Sequence, residues 1–338
     1  MSRISFDEMK ATIKQAFMIA GMPEDRADAC AQIHTESSCD GVYSHGLNRV
    51  ERFVDYIHQG WINVDGSPVL DKNLGALEIY NGNMGPGILN AQFAMDRATK
   101  MAAINGLGLV ALNNTTHWMR GGAFGWQAAE KGFIGICWTN TESCMPAWGG
   151  TSGVIGNNPF VMAIPRKEGP IVLDMAMSQY SYGKLGVTRL KNEKLPYPGG
   201  FDGEGNLSVD PGEIEATRRV LPIGFWKGSG FAIMLDLIAS LLSGGLSTAA
   251  IDKYDKGSCG SCCQVFIAIN PLMINTQEFI DKVLNETMEQ IKGSTRVDPN
   301  KGLSYPGENS LKTRMDHLAN GIVVDDSIWE KVKELAKL

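Results

Sequence analysis

The sequence lacks a long hydrophobic run, and this absence argues against a membrane span of the usual kind. Its longest apolar stretch extends from Phe231 to Leu242 and is interrupted by Asp236. A transmembrane helix needs about 20 mostly apolar residues. The first residues, Met1 to Glu8, also contain no apolar core of the signal-peptide type. We therefore expect a cytoplasmic protein that is neither exported nor held in a membrane.

Clustered basic charge and paired cysteine motifs are also scarce. The chain has 31 Lys and Arg against 37 Asp and Glu, for a net charge of −6, and no basic run long enough to follow a phosphate backbone. We expect no nucleic-acid partner. Seven cysteines, an odd number without framework spacing, indicate reduced thiols. Cys259, Cys262 and Cys263 form one cluster without a second ligand pair, so we expect no metal site and interpret them as thiols in the turn before a strand.

The glycine fingerprint of a Rossmann dinucleotide site is missing as well. Gly228 and Gly230 open a predicted helix, but Ile233 stands where the third glycine would be needed. An ordinary Rossmann domain is therefore not predicted. Lys227 and the backbone amides at this helix start could still contact phosphates, although a plain helix start explains them equally well.

The hydrophobic pattern predicts helices at both ends and alternating strands and helices between them. Ser5 and Glu8 form a capping box before a helix that ends at Gly21, and further helices are predicted over 24–38 and from 47 to about 60. Predicted strands cover 76–80, 107–113, 133–139, 159–164, 170–175 and 264–270. Later helices are predicted over 87–103, 125–131, 229–243, 276–291 and 326–338.

This order of elements predicts an α/β fold of the α+β type. We expect a mixed β-sheet domain with helices over 76–299. A helical domain should be built from residues 1–75 together with about 300–338, because a three-helix piece of this size buries little surface by itself.

His45 is the most informative of the five histidines. It lies in a predicted helix-to-helix connection with Gly41 and Gly46 on either side, and Arg49 follows four residues later. An imidazole can deliver a proton near neutral pH, and a guanidinium can hold a carboxylate beside it. Reduction of a 2-oxo acid needs this pairing. His117 and Arg120 are further candidates for substrate contacts. A structural ion pair or hydrogen bond explains each of the side chains of Arg49, His117 and Arg120 equally well.

Several motifs occur in one fixed order along the chain. They are Ser44-His45-Gly46, Asn157-Asn158-Pro159, Leu173 to Ser178, Lys227-Gly228 and Pro306-Gly307-Glu308. Together they resemble the malate/L-lactate dehydrogenase family from about residue 5 to the C-terminus. The runs 117–122, 125–132 and 134–140 resemble a bacterial subgroup that reduces a diketo sugar acid. The resemblance implies a non-Rossmann fold that holds NAD(H) between a mixed sheet and a helical domain, and a homodimer with its active site near the subunit boundary.

The resemblance also implies roles for particular residues. His45 matches the proton donor of the family. Positions that match cofactor contacts are Pro170, Ile171, Val172, Leu173, Asp174, Met175, Ala176, Trp226, Lys227, Gly307, Glu308 and Asn309. The cofactor that the resemblance implies is NAD(H), with NADP(H) as the alternative. Met177 departs from the family pattern, which commonly has threonine there, and 141–156 is the least family-like part of the sheet region.

Alternatives remain open at this point. Another member of the same family would act on malate, lactate or ureidoglycolate instead of a diketo acid. A more distant alternative is a zinc-dependent hydrolase that uses His45, His117 and the cysteine cluster. A noncatalytic protein that has kept the fold is the third, and failure to bind NADH would favour it.

Overall fold

The computed structural model describes residues 2–254, 256 and 260–337. The helices are α1 Phe6–Ile19, α2 Glu24–Cys39, α3 Val50–His58, α4 Gly87–Asn105, α5 Gly122–Glu130, α6 Tyr182–Leu190, α7 Pro211–Thr217, α8 Trp226–Ser243, α9 Thr248–Ile251, α10 Gln277–Gly293, α11 Glu308–Asn320 and α12 Asp326–Leu335. The strands are β1 Ser2–Ile4, β2 Val69–Asn73, β3 Leu77–Asn81, β4 Leu107–Thr115, β5 Ile134–Thr139, β6 Met145–Pro146, β7 Gly153–Ile155, β8 Phe160–Ile164, β9 Ile171–Met175, β10 Gly200–Phe201, β11 Leu207–Ser208, β12 Cys262–Ile269 and β13 Ile322–Val324.

A seven-stranded mixed sheet forms the centre of the molecule. Its strand order is β2-β3-β4-β12-β5-β8-β9. β3 and β4 are parallel, and the other neighbours are antiparallel. The late strand β12 lies between β4 and β5, so residues far apart in sequence meet at the middle of the sheet. The predicted fold class, a mixed sheet with helices, is confirmed.

Both faces of the middle of this sheet are buried, as the alternation along β12 shows. Phe266 and Ala268 belong to the core shared with α4 and α5, whereas Cys263 and Val265 belong to the core shared with α8. Successive side chains of a strand point to opposite faces, so one strand supplies both cores. The sheet thereby separates two hydrophobic layers.

Helices from the two ends of the chain pack together beside this sheet. α12 contacts α1 and α3, α11 contacts α2, and β1 pairs with β13. α2 also contacts α4 and α5, and thus joins the terminal helices to one layer of the sheet. The hydrophobic core is continuous across this junction. The division of the chain at residues 75 and about 300 into two domains stays a prediction.

Some sequence predictions need correction. Cys262 and Cys263 lie within β12 and are buried, not in a turn before it, because the strand begins two residues earlier than predicted. Cys259 lies outside the described residues. The pattern also missed β2, which is exposed along its whole length, and α6, α7 and α11. α12 ends at Leu335 and is shorter than predicted.

No single helix among the described residues is long and apolar enough to cross a bilayer. α8 and the segment Thr248–Tyr254 are bent by 77° relative to each other. Taken together, they are long and apolar enough for a span by length and composition only.

The turn after α2 packs directly on that helix, and Gly46 makes the close approach. A Cβ atom at Gly46 would lie 2.2 Å from Ser38 Oγ and 2.8 Å from the carbonyl oxygen of His34. Ser38 Oγ also accepts a hydrogen bond of 2.8 Å from the backbone N–H of Leu47. The position of His45 therefore depends on the absence of a side chain at residue 46.

We predict that Gly46→Ala lowers the free energy of unfolding by about 1–3 kcal/mol, because the turn must move away from α2. Urea denaturation followed by circular dichroism measures this change. Gly293→Ala is the matched control, since a Cβ atom there has no neighbour within 4 Å. It should leave the stability unchanged or raise it by up to about 1 kcal/mol. Equal losses in both variants would contradict the close packing of the turn.

Candidate active site

His45 is presented by two short 3-10 turns between α2 and α3. The turns cover Tyr43–His45 and Leu47–Arg49. The Nδ1 atom of His45 lies 3.0 Å from Ser44 Oγ, which fixes the orientation of the ring. Ser44 also lies close to the start of α6, because a Cβ atom at Gly183 would be 3.3 Å from the Cβ of Ser44.

His117 stacks on His45. The ring centroids are 5.7 Å apart and the ring planes differ by 16°. His117 follows β4, and its Nδ1 accepts a hydrogen bond of 2.8 Å from the backbone N–H of Met119. The proton of the neutral His117 ring is therefore on Nε2, where it can be donated to a ligand. Met119 has a φ of 62°, so this segment holds an uncommon backbone conformation beside the ring pair.

The surroundings of both rings disfavour the imidazolium form. Burial, followed by the positive charges of Arg49 and Arg120, lowers the pKa of His45 to about 4. Burial and the charge of Arg49 lower the pKa of His117 well below its ordinary value. Both rings are therefore neutral at pH 7 in the free protein.

The predicted substrate contact Arg49 lies near this ring pair. It directly precedes α3, and its charge acts on both His45 and His117. Arg52, one turn further along α3, also acts on His117. Glu142 faces the same two arginines, although burial and Asp252 raise the pKa of its carboxyl group. This edge of the site therefore carries two arginines and two carboxyl groups, those of Glu142 and Asp252.

Arg120, the other predicted guanidinium, belongs to a group that we call the Asp40 cluster, formed by Asp40, Arg120, Arg314 and Asp174. Arg120 is 5% exposed and forms an ion pair with the fully buried carboxylate of Asp40. Arg314 donates to both oxygens of Asp40, with Nη2 2.8 Å from Oδ2. Nε of Arg120 lies 3.7 Å from Oδ2 of Asp174. The cluster joins the end of α2, just before the turn that carries His45, to β9.

Two of the three predicted cofactor segments lie against each other. The backbone N–H of Val172 in β9 donates to the carbonyl oxygen of Pro306 over 3.1 Å. A Cβ atom at Gly307 would lie 2.9 Å from that nitrogen, and Gly307 has a φ of 86°. Burial alone would raise the pKa of Glu308, but hydrogen bonds from Lys292 and Lys312 lower it to about 2. Glu308 is thus ionised and anchored at the start of α11.

The third segment begins α8. The backbone N–H of Ile223 donates to the carbonyl oxygen of Met177 over 2.8 Å, which places the approach to α8 just beyond the end of β9. Trp226 is 63% exposed, and Lys227 Nζ lies 6.0 Å from the centroid of its ring. Phe225 gives this helix no side-chain cap. The first turn of α8 therefore presents a cation and an aromatic surface.

The side chains of His34 and Met177 have structural roles. His34 is fully buried between Phe17 and Phe53, and its Nδ1 lies 2.9 Å from the carbonyl oxygen of Cys30. Met177 is also fully buried, in the core against α8. At the position where the family commonly has a hydroxyl, this chain therefore has an apolar side chain that packs in the core. Among the described residues, no group of three or more His, Cys, Asp or Glu side chains is arranged to hold a metal ion.

Sequence reasoning missed Asp40, Arg52 and Glu142, and it gave Ser44 no role of its own. Ser44 and Arg52 are close to His45 in the sequence and could have been noted by spacing. Asp40 is separated from its partners Arg120 and Arg314 by 80 and 274 residues, so no local pattern connects them.

Comparison with known proteins identifies the family. The sequence profile described as malate/L-lactate dehydrogenase matches residues 4–333. The chain belongs to the malate/L-lactate dehydrogenase family. A relative from Shigella boydii serotype 4 (strain Sb227), named 2,3-diketo-L-gulonate reductase, is 44% identical over 334 residues, which cover 98% of this chain and 100% of that protein.

Solved structures of the same fold agree with this family assignment. Malate dehydrogenase from Pyrococcus horikoshii OT3 matches with a TM-score of 0.90 at 27% identity, covering 99% of this chain and 94% of that one. Sulfolactate dehydrogenase from Methanocaldococcus jannaschii matches with a TM-score of 0.89 at 26% identity, covering 99% and 96%. The resemblance inferred from the motifs is confirmed, and the chain is an oxidoreductase of this family.

Membership of this dehydrogenase family implies a nicotinamide cofactor, and the residues present suit one. Lys227 and the uncapped first turn of α8 suit phosphate groups, because the N-terminal end of a helix attracts anions. Trp226 offers an exposed ring. Gly307 lets the start of α11 lie directly against the backbone of β9, where a side chain would not fit.

Proposed function

We propose that this chain reduces a small 2-oxo carboxylic acid with NADH, and that the substrate is 2,3-diketo-L-gulonate, which becomes 3-dehydro-L-gulonate. The observation that carries the reaction type is the stacked pair of His45 and His117 beside Arg49. The relative named 2,3-diketo-L-gulonate reductase, at 44% identity over the whole of that protein, supports the choice of substrate. Malate, lactate or ureidoglycolate as the substrate of the reverse reaction is the alternative within the family.

We assign His45 as the proton donor. The nicotinamide cofactor, when bound, supplies the hydride that reduces the carbonyl carbon. Negative charge then develops on the carbonyl oxygen, and a positioned acid that protonates it contributes about 10² to 10⁴ in rate. Because Nδ1 of His45 faces Ser44 Oγ at 3.0 Å, we assign the transferred proton to Nε2.

Substrate binding itself favours the protonated form of His45. In the free protein the ring of His45 is neutral at pH 7, because burial and nearby arginines lower its pKa to about 4. A substrate carboxylate beside the ring favours the charged form and raises this pKa. The acid is therefore formed together with the substrate complex.

Arg49 is the guanidinium that we propose for the substrate carboxylate, since its charge already acts on both rings. His117 is the second proposed contact, through the proton on its Nε2. Arg120 is the other guanidinium considered for this role. Its pairing with the buried carboxylate of Asp40 engages it within the protein instead.

For the cofactor we propose three segments of the chain. They are Pro170 to Ala176, the pair Trp226 and Lys227, and Gly307 to Asn309. The first and third are joined by the Val172 to Pro306 hydrogen bond, and the second lies just beyond the end of β9. We propose NADH as the cofactor, with NADPH as the alternative.

We further propose that the chain acts as a homodimer in the cytoplasm, with the helical and mixed-sheet domains divided near residues 75 and 300. Support for the dimer comes from α8, where Met234, Leu237 and Leu241 lie on one helical face and are 52%, 45% and 82% exposed. An exposed apolar face of this kind is typical of a protein interface.

The substrate is tested by NADH oxidation, followed by absorbance, with 2,3-diketo-L-gulonate, pyruvate and oxaloacetate at equal concentrations. We predict a kcat/KM at least about tenfold higher for 2,3-diketo-L-gulonate, since the site must discriminate by polyol contacts that the simpler acids lack. The same series with NADPH measures the cofactor preference. A higher kcat/KM for pyruvate or oxaloacetate would contradict the proposed substrate and leave the family unchanged.

The proton donor is tested by His45→Asn. We predict that turnover falls at least about 100-fold, because the assigned proton donor is lost, while the Kd of NADH changes by less than about twofold. His58→Asn is the matched control, since His58 is an exposed side chain at the end of α3. Turnover of His45→Asn close to that of the control would end the assignment.

A further inference from the structure

The hairpin formed by β6 and β7 places Trp148 beside the first turn of α8. Trp148 lies in the turn between the two strands, and its backbone N–H donates a hydrogen bond of 2.9 Å to Ser229 Oγ. Ser229 is only 4% exposed, so this hydroxyl belongs to the packed side of the helix. The turn is therefore anchored to α8 through its backbone, and the Trp148 side chain is not needed for this contact.

The rings of Trp148 and Phe225 form an exposed surface here, which we call the aromatic wall. Their centroids are 5.4 Å apart, and the ring planes differ by 61°. The two side chains are 48% and 46% exposed, and Trp226, which follows directly in the chain, is 63% exposed. Adjoining aromatic rings that remain in solvent form an apolar patch, and such patches are typical of binding surfaces.

The backbone of Phe225 has an uncommon conformation. Its φ is 61° and its ψ is −118°. A bulky side chain rarely adopts a positive φ, and strained residues of this kind cluster at ligand-binding sites. Since Phe225 stays about half exposed, core packing does not account for the position of its ring. Contact with a ligand accounts for both the strain and the exposure.

The charge beside the aromatic wall indicates what kind of ligand fits. Nζ of Lys227 lies 6.0 Å from the centroid of the Trp226 ring, and Phe225 gives the start of α8 no side-chain cap. A cation and free backbone amides favour phosphate groups, whereas aromatic rings favour a planar base. A dinucleotide carries both groups in one molecule. An apolar protein surface would match the rings alone.

We propose that Trp148 and Phe225 bind a planar ring of the dinucleotide cofactor, adenine or nicotinamide. This inference rests on the proposed cofactor contacts Trp226 and Lys227, and it extends that site from α8 to the β6–β7 hairpin. Trp148 belongs to 141–156, the least family-like part of the sheet region, so the motifs assign it no role.

The test is isothermal titration calorimetry with NADH. We expect Trp148→Ala to raise the Kd of NADH at least about fivefold, because a stacking contact with the base is lost. Trp148→Phe keeps a ring and should recover most of the affinity. Phe279→Ala is the matched control, since Phe279 is 52% exposed on α10, outside the proposed cofactor segments, and its loss should leave the Kd unchanged. The backbone hydrogen bond to Ser229 is retained in the Trp148 variants.

ADP-ribose, which carries adenine but no nicotinamide, identifies the ring. If Trp148→Ala weakens the binding of ADP-ribose as much as that of NADH, the aromatic wall holds adenine. If it weakens the binding of NADH alone, the wall holds nicotinamide. Either result supports the proposal.

An unchanged Kd of NADH in Trp148→Ala would overturn the proposal. So would a loss of affinity together with dissociation into monomers, measured by size-exclusion chromatography with light scattering, because the rings would then belong to a subunit interface. Failure of the wild type to bind either NADH or NADPH would contradict the proposed cofactor itself. That result is distinct from an unchanged Kd in the variant, which contradicts the role of Trp148 alone.

Discussion

The shared carboxylate of Asp40 is the interaction on which the arrangement of the site depends. It pairs with Arg120 and Arg314, which lie 80 and 274 residues further along the chain. Through these pairs the end of α2, the segment that carries His117 and the helix that follows Gly307 are held together. A carboxylate with no exposed surface is costly unless it is paired. Neither arginine can therefore be displaced without leaving the buried group poorly compensated.

The active site holds two neutral imidazoles among the positive charges of Arg49 and Arg120. Burial and the arginines act in the same direction on His45 and His117. An anion that enters the site offsets this charge and makes protonation of an imidazole favourable. In this account the acid required for carbonyl reduction exists mainly in the substrate complex, and the charge of the substrate is part of the catalytic arrangement.

Much of the scaffold could be predicted from local patterns. The capping box at Ser5 gives a helix whose Ser5 side chain accepts from the N–H of Glu8, as expected. The apolar strands of the central sheet, including Leu107–Thr115, were also recognisable. β2 was missed because both of its faces are exposed, and such a strand carries no alternating hydrophobic signal. α11 was missed for a related reason, since only Glu308 and His317 of its residues are buried.

The site was predictable only where the sequence itself is distinctive. His45 stands in a glycine-flanked turn, and the order of the motifs pointed to the family that the comparisons confirm. His34 and His45 are the same residue type only eleven positions apart in the chain, yet one is a core side chain and the other faces a stacked partner. Tertiary packing makes this difference. The Asp40 cluster has no sequence signature either, because its members meet only in the folded chain.

Proton uptake on ligand binding is the most direct test of this electrostatic account. Isothermal titration calorimetry of oxamate binding to the NADH-loaded protein, in two buffers with different ionisation enthalpies at about pH 7, gives the number of protons taken up. The account predicts about one proton per site in the wild type and none in His45→Asn. Binding without proton uptake in the wild type would contradict it, because His45 would then not become charged with the arrival of the anion.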